Sequence, residues 1–186
     1  MPTIDSSDGS SRAFSEANHP RVTVLKTDRL LLTTWSLADL PDLQALHGNS
    51  KAMKRMASGV QDLRQTRARL RTWQAEHAAQ GWSKWRIQQL DGTFVGRAGF
   101  SRAHGTNHRE VGFLLAPQYW GRGLATELLR ALTSWHHDSG DATLSTDLLA
   151  YVFATNTGSR RVLEKAGFQL IGTDSPDPSQ LIYRHR

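Results

Sequence analysis

The chain has 186 residues, no cysteine, a formal net charge of +6 and a sequence pI of about 10.2. That length suits one domain with a full core. The lack of cysteine excludes disulfide scaffolds, thiol catalysis and thiolate metal sites, and it is compatible with a reducing cytoplasm. The basic balance favours anionic partners, whether a nucleotide-bearing cofactor, an acidic peptide or RNA, and no apolar run approaches the ~20 residues of a membrane span, so no membrane partner is expected.

Residues 1–20 are rich in Ser, Asp, Asn and Gly and lack the apolar core of a signal peptide; they read as a disordered lead to a single domain over 21–186. Order is expected to begin at Val22–Leu25 or at Leu30–Thr34. Ser36 is placed to cap a helix from Leu37 to about His47, with Leu40, Leu43 and Leu46 toward the core and Gly48-Asn49 at its end. Asp62 or a neighbour opens a second helix that reaches Gln80 before Gly81. Its segment 64–71 carries four arginines and is either a solvated face or a dock for RNA or an acidic substrate. Without interleaved aromatics the second possibility is secondary, and nucleic acid is not an expected partner. Trp82–Leu90 predicts a strand, Asp91-Gly92 a hairpin turn and Phe94–Phe100 the returning strand. His104–His108 forms a further turn.

The stretch from Glu110 to Trp135 organises the rest. Val111, Phe113 and Leu115 alternate as in a strand, and Pro117, which lacks an N–H, stops the ladder. Leu124, Leu128, Leu132 and Trp135 share one face of a helix expected over 122–138. Between the two lies Trp120-Gly121-Arg122-Gly123-Leu124-Ala125. A helix begins with unpaired N–H groups and a partial positive charge. Glycines there permit positive φ and close approach of a ligand to the main chain, so the junction is suited to hold phosphate. It is neither a P-loop nor Gly-x-Gly-x-x-Gly. Downstream, Leu148–Phe153 predicts a strand parallel to the Glu110 strand. Asn156 caps a helix that ends at Gly167, and Phe168–Ile171 with Leu181–Tyr183 makes a final hairpin around a turn with Pro176 and Pro178. Ser139–Asp147 extends the loop or starts the strand early.

Leu-x-Ala-Pro-x-Tyr-Trp-Gly-Arg-Gly-Leu-Ala-Thr-Glu-Leu-Leu, from Leu114, resembles the coenzyme A motif of the GNAT superfamily of N-acetyltransferases. The segment from Asn156 through Ser159 to Gly167-Phe168 resembles that superfamily's closing helix and strand. Thr27-Asp28-Arg29-Leu30-x-Leu32 resembles the opening strand of its Rim-type branch, which acetylates ribosomal protein N-termini and various small amines. The matches run in family order over about 24–184. The resemblance implies an α+β GNAT fold: a mixed, largely antiparallel twisted sheet of about seven strands, a central parallel pair splayed for the cofactor, and about four flanking helices. It also implies acetyl transfer from acetyl-CoA to a primary amine, a protein N-terminal α-amine or a small molecule, by direct attack.

On that resemblance, backbone N–H groups of Gly121, Arg122, Gly123, Leu124, Ala125 and Thr126 hold the pyrophosphate, with Arg122 able to add charge and Trp120 standing where relatives usually carry Arg or Gln. Main-chain groups of Leu114 and Leu115 accompany the pantetheine arm, and Asn156, Ser159 and Arg160 face the cofactor. Glu110 matches the position of a general base, often acting through water. Leu163 occupies the usual position of a Tyr general acid and cannot donate a proton; Ser159 or water can serve instead. Trp35, Trp82 and Trp85 either line the acceptor pocket or belong to the core. No metal is expected, since the eight histidines show no ligand spacing. Alternatives are a coenzyme A-binding module without catalysis and an RNA- or ribosome-associated protein using the basic helix. The expected state is a cytoplasmic monomer or homodimer.

Overall fold

The computed structural model describes residues 21–174 and 177–186; the lead expected over 1–20 and Pro176 of the last turn lie outside them. The strands are β1 (Thr23–Lys26), β2 (Leu30–Thr33), β3 (Lys84–Gln89), β4 (Phe94–Arg102), β5 (Arg109–Leu115), β6 (Leu148–Phe153), β7 (Gln169–Thr173) and β8 (Gln180–His185). The helices are α1 (Leu40–His47), α2 (Ser50–Met53), α3 (Leu63–Gln80), α4 (Leu124–Asp138) and α5 (Thr157–Lys165). Among the described residues this is one strand and one helix more than expected. Both candidate opening strands form, and Asn49, expected to end α1, instead caps the four-residue α2 by accepting from the Ala52 N–H.

All eight strands join one sheet in the order β1-β2-β3-β4-β5-β6-β8-β7. Every neighbouring pair is antiparallel except β5 and β6, which run parallel and pair only at Arg109–Leu148 and Glu110–Leu149. Beyond Glu110 the two strands part. A strand that loses its neighbour exposes a row of N–H and C=O groups, so the fork in mid-sheet opens a main-chain edge to a ligand.

Local chemistry sets the helix ends. Ser36 and Asp39 form a capping box on a 3-10 turn at Leu37–Asp39 that leads into α1, where Leu43 and Leu46 are buried and Leu40 is half-buried. Asp62 and Gln65 form a second box at the start of α3. Buried Arg86 ties this layer to the sheet through Asp39 at 3.1 Å and Asp42 at 2.9 Å. On the other face, Leu124, Leu128, Leu129 and Leu132 of α4 join the main core with Trp85, Phe100 and Val111. The 139–147 segment is a loop, anchored by buried Leu144 and by the Ser145 N–H donating to the Asn107 carbonyl.

Candidate active site

The loop after β5 and the first turn of α4 create the site. Gly121 and Gly123 adopt φ of 75° and 77°, a region costly for any residue with a Cβ, and Gly123 serves as the α4 N-cap. No side chain caps this helix, whereas α3 and α5 are capped by Asp62 and Asn156. The first-turn amides of α4 are thus left to a ligand. The one acid in that turn, Glu127, is drawn away from them. Its carboxylate accepts from the Thr27 hydroxyl at 2.6 Å, the Arg29 N–H at 3.0 Å and Arg29 Nε at 2.6 Å, while Arg29 Nη1 donates to the Arg122 carbonyl at 3.0 Å. The Thr27-Asp28-Arg29 turn therefore holds both the loop and the helix tip, a role that sequence reasoning had not assigned.

A cavity of about 390 Å³ opens in front of this tip. Leu114, Leu115, Trp120, Gly121, Gly123, Leu124, Ala125, Thr126, Asn156 and Ser159 all line it. Asn156 also caps α5 by accepting from the Ser159 N–H at 3.2 Å. The indole N–H of Trp120 donates to the Leu115 carbonyl at 2.8 Å, so the Trp at this position fastens the loop to the strand it leaves.

Four expectations change. Arg122 does not line the cavity; its guanidinium lies over the Tyr119 ring, 5.6 Å from the centroid. Arg160 points elsewhere too, with Nε donating to the Tyr183 hydroxyl and Nη1 to the Ala154 carbonyl, both at 3.2 Å. The cavity instead takes Arg161 and Lys165 of α5 together with Lys51 and Arg55 on and after α2. The α5 pair was legible as one helical face with Gly158 and Val162; the α2 pair carried no periodic signal. Third, the Leu114 carbonyl is turned toward Gly96 of β4, and the next odd–even step in the ladder, the Ala116 N–H, donates to Val95. Strand main-chain groups alternate in direction, so Phe113 and Leu115, rather than Leu114, present theirs to the fork.

The fourth change concerns the tryptophans. Trp35, Trp82 and Trp85 are 2%, 2% and 0% exposed, and none lines the cavity. Trp35 stacks on Trp73, Trp85 packs edge-on against Trp135 and Phe100, and the face of Trp82 is covered by the Arg109 guanidinium at 5.0 Å. Bulk and cation–π contact commit all three to the core.

Glu110 sits where β5 and β6 part and does not line the cavity. It is not paired with Arg109, which points to the opposite face between Trp82, Phe100 and Trp135. Burial pushes the Glu110 carboxyl up, Lys84 opposes this, and Asp174 adds to it. Leu163 is buried in the core. Among the described residues no group of three or more His, Cys, Asp and Glu side chains could hold a metal ion.

An uncapped helix tip, two glycines and four cations fit a diphosphate-bearing ligand. Removing one cation should weaken such binding modestly: Arg161→Ala is expected to lower coenzyme A affinity up to about fivefold, with a shallower salt dependence, while Arg160→Ala leaves affinity unchanged. Calorimetry at two salt concentrations checks both.

The chain superposes on the crystal structure of an acetyltransferase from Agrobacterium tumefaciens strain C58 with a TM-score of 0.76 and 26% identity, covering 90% of this chain and 95% of that one. It superposes on RimL, a ribosomal L7/L12 α-N-protein acetyltransferase in complex with coenzyme A, with a TM-score of 0.72, 17% identity and coverage of 86% and 94%, a likeness of fold. An uncharacterized N-acetyltransferase of Bacillus subtilis strain 168, YoaA, is 28% identical over 154 residues, spanning 80% of this chain and 84% of that protein. The model of the acetyltransferase (GNAT) domain family matches residues 29–169, three quarters of the chain, which therefore belongs to the GNAT acetyltransferases, users of acetyl-CoA.

Proposed function

We propose that the protein transfers the acetyl group of acetyl-CoA to the nitrogen of a primary amine by direct attack on the thioester, in the manner of the Rim-type branch and with a protein N-terminal α-amine or a small-molecule amine as acceptor. The observation that carries this is the uncapped α4 tip at Gly123, opening on a cavity lined by Phe113, Leu114 and Leu115 of β5, past the point where β5 and β6 part.

The donor brings an activated acyl carbon; the chain's own residues supply the rest. Amides from Gly121 to Thr126 bind the diphosphate, and Arg161, Lys165, Lys51 and Arg55 add positive charge. Main-chain groups of Phe113 and Leu115 align the pantetheine arm, and an N–H of that edge meets the charge that grows on the acyl oxygen. Glu110 takes the proton of the attacking amine, directly or through water. An α-amine with a pKa near 7.7–8.0 needs only a modest base, whereas lysine near 10.4 demands more. The leaving thiolate needs little help, and Ser159, which lines the cavity, or water gives it in lieu of the tyrosine whose usual position Leu163 occupies. The Thr27-Asp28-Arg29 turn, which matches the Rim-type opening, supports the branch assignment. We take residues 21–186 as one catalytic domain and place it in the cytoplasm, in keeping with a cysteine-free chain.

The test is an acceptor screen that follows release of free thiol, with free-N-terminus peptides beside polyamines and aminoglycosides. Turnover with at least one amine, and none with N-acetylated peptides, is expected. Binding of acetyl-CoA without thiol release to any amine would favour the alternative, a coenzyme A-binding module that has lost catalysis.

A further inference from the structure

Lys84 is a buried lysine for which the site described above has no use. It opens β3, and the register places it opposite Gly99 of β4, which in turn lies opposite Gly112 of β5. A lysine and two glycines thus stand in one row across three strands, on the sheet face that also carries Glu110, since side chains two apart on a strand share a face. The missing side chain of Gly112 leaves a trough for the end of the lysine, whereas a Cβ at Gly99 would meet the Ser83 carbonyl at 2.1 Å. Its ammonium donates to the Gly99 carbonyl at 3.0 Å and reaches the main-chain carbonyl of Glu110 at 3.5 Å. A Cβ added at Gly112 would sit 3.2 Å from Nζ and 3.8 Å from Cε, so the trough has no room for a larger residue unless the lysine shifts.

We propose that Lys84 is a positioning residue for Glu110: laid against Gly112, its ammonium holds the Glu110 carboxyl ionised at the fork between β5 and β6. The proposal rests on the reading of Glu110 as the base. Lys84 is buried and Glu110 half-buried, and an opposite charge nearby offsets part of the cost of taking each out of water. The electrostatics run both ways. Burial brings the Lys84 amine down to about 8, and Glu110 and Glu76 work against that while Arg97 adds to it. Burial pushes Glu110 up, Lys84 pulls it back, and Asp174 pushes it further. Tyr151 of β6 faces the same carboxylate, which, after burial, raises its phenol. Of the two charges that act on Glu110, Lys84 favours the ionised form and Asp174 opposes it. An amine acceptor needs the carboxylate form there, so the lysine sets the lower pH bound of the reaction.

The coupling is read directly by carbon NMR titration of the Glu110 carboxyl in the full-length protein without cofactor, with Glu110→Gln providing the assignment. In Lys84→Met the ratio of ionised to protonated Glu110 at the wild-type midpoint should fall at least about fivefold, while Lys84→Arg should stay within about twofold of wild type. Gly112→Ala, which displaces the ammonium but keeps its charge, should fall between. By reciprocity of the coupling, Glu110→Gln should move the titration of a labelled Lys84 to lower pH. This arm needs no substitution at Lys84, so it decides the matter should Lys84→Met fail to fold. A Glu110 titration unmoved in folded Lys84→Met, or a Lys84 titration unmoved in Glu110→Gln, overturns the proposal. Neither readout depends on turnover: coupling seen alongside a pH-independent loss in Glu110→Gln would retain the pair and reject Glu110 as the base.

Discussion

Gly123→Glu is expected to weaken coenzyme A binding at least about 100-fold, a loss of about 2.7 kcal/mol, measured by titration calorimetry. Two effects add. Position 123 holds φ of 77°, and a residue with a Cβ in the left-handed region costs about 1–2 kcal/mol. The new carboxylate would also stand at the N-cap of α4, where it would itself accept from the first-turn amides, as Asp62 does on α3, and would repel a diphosphate. Gly123→Ala separates the two, because it keeps the strain and adds no charge; it should lose about 30-fold at most. The side chain at 123 has room on its flank, the nearest neighbouring atom to a Cβ being Arg29 Nη2 at 3.6 Å, so a folded protein is expected in both cases. An unchanged affinity in Gly123→Glu would show that the diphosphate is held somewhere other than the helix tip, and the proposed orientation of the acyl group would fall with it.

The α4 tip was legible because its signals are local. Glycine spacing, a strand stopped by proline and a run of leucines at helical period each act within a few residues, and the same holds for the Asp62 and Ser36 caps and the Leu148–Phe153 strand. What escaped depends on tertiary contacts. Trp35, Trp82 and Trp85 are apolar, bulky and near the first helices, which suits a pocket wall and a core equally; the contacts that decide, with Trp73, Arg109 and Trp135, come from distant parts of the chain. Arg160 and Arg161 are neighbours in sequence, yet one residue on a helix is a turn of about 100°, enough to send the first to Tyr183 and the second into the cavity. The four residues of α2 are too few to display a period, so Lys51 and Arg55 carried no sign of facing the cofactor cradle. The clamp of Glu127 by Thr27 and Arg29 joins residues about a hundred positions apart, and only the resemblance of the opening strand marked that turn at all.

Glu110→Gln is expected to lower kcat/KM by about a hundredfold or more at pH 7, with the deficit shrinking as pH rises. The substitution preserves shape and hydrogen-bonding reach while removing the carboxylate that takes the proton. The sign follows from the environment. Burial lifts the Glu110 carboxyl above the ordinary carboxylate range, Lys84 limits the rise, and the carboxylate form that acts as base is populated above the resulting pKa. Wild-type activity should therefore climb with pH through that point and be sustained at neutrality. In the variant this limb is gone and the rate follows the neutral fraction of the amine alone. For an α-amine of pKa about 7.7–8.0 that fraction is already substantial at pH 8.5, so the two enzymes converge there; for a lysine acceptor near 10.4 they remain apart. The profile thus reports on both the base and the acceptor class. A loss of equal size at every pH would mean that Glu110 only shapes the fork, and the proton would then have to leave through solvent entering between β5 and β6.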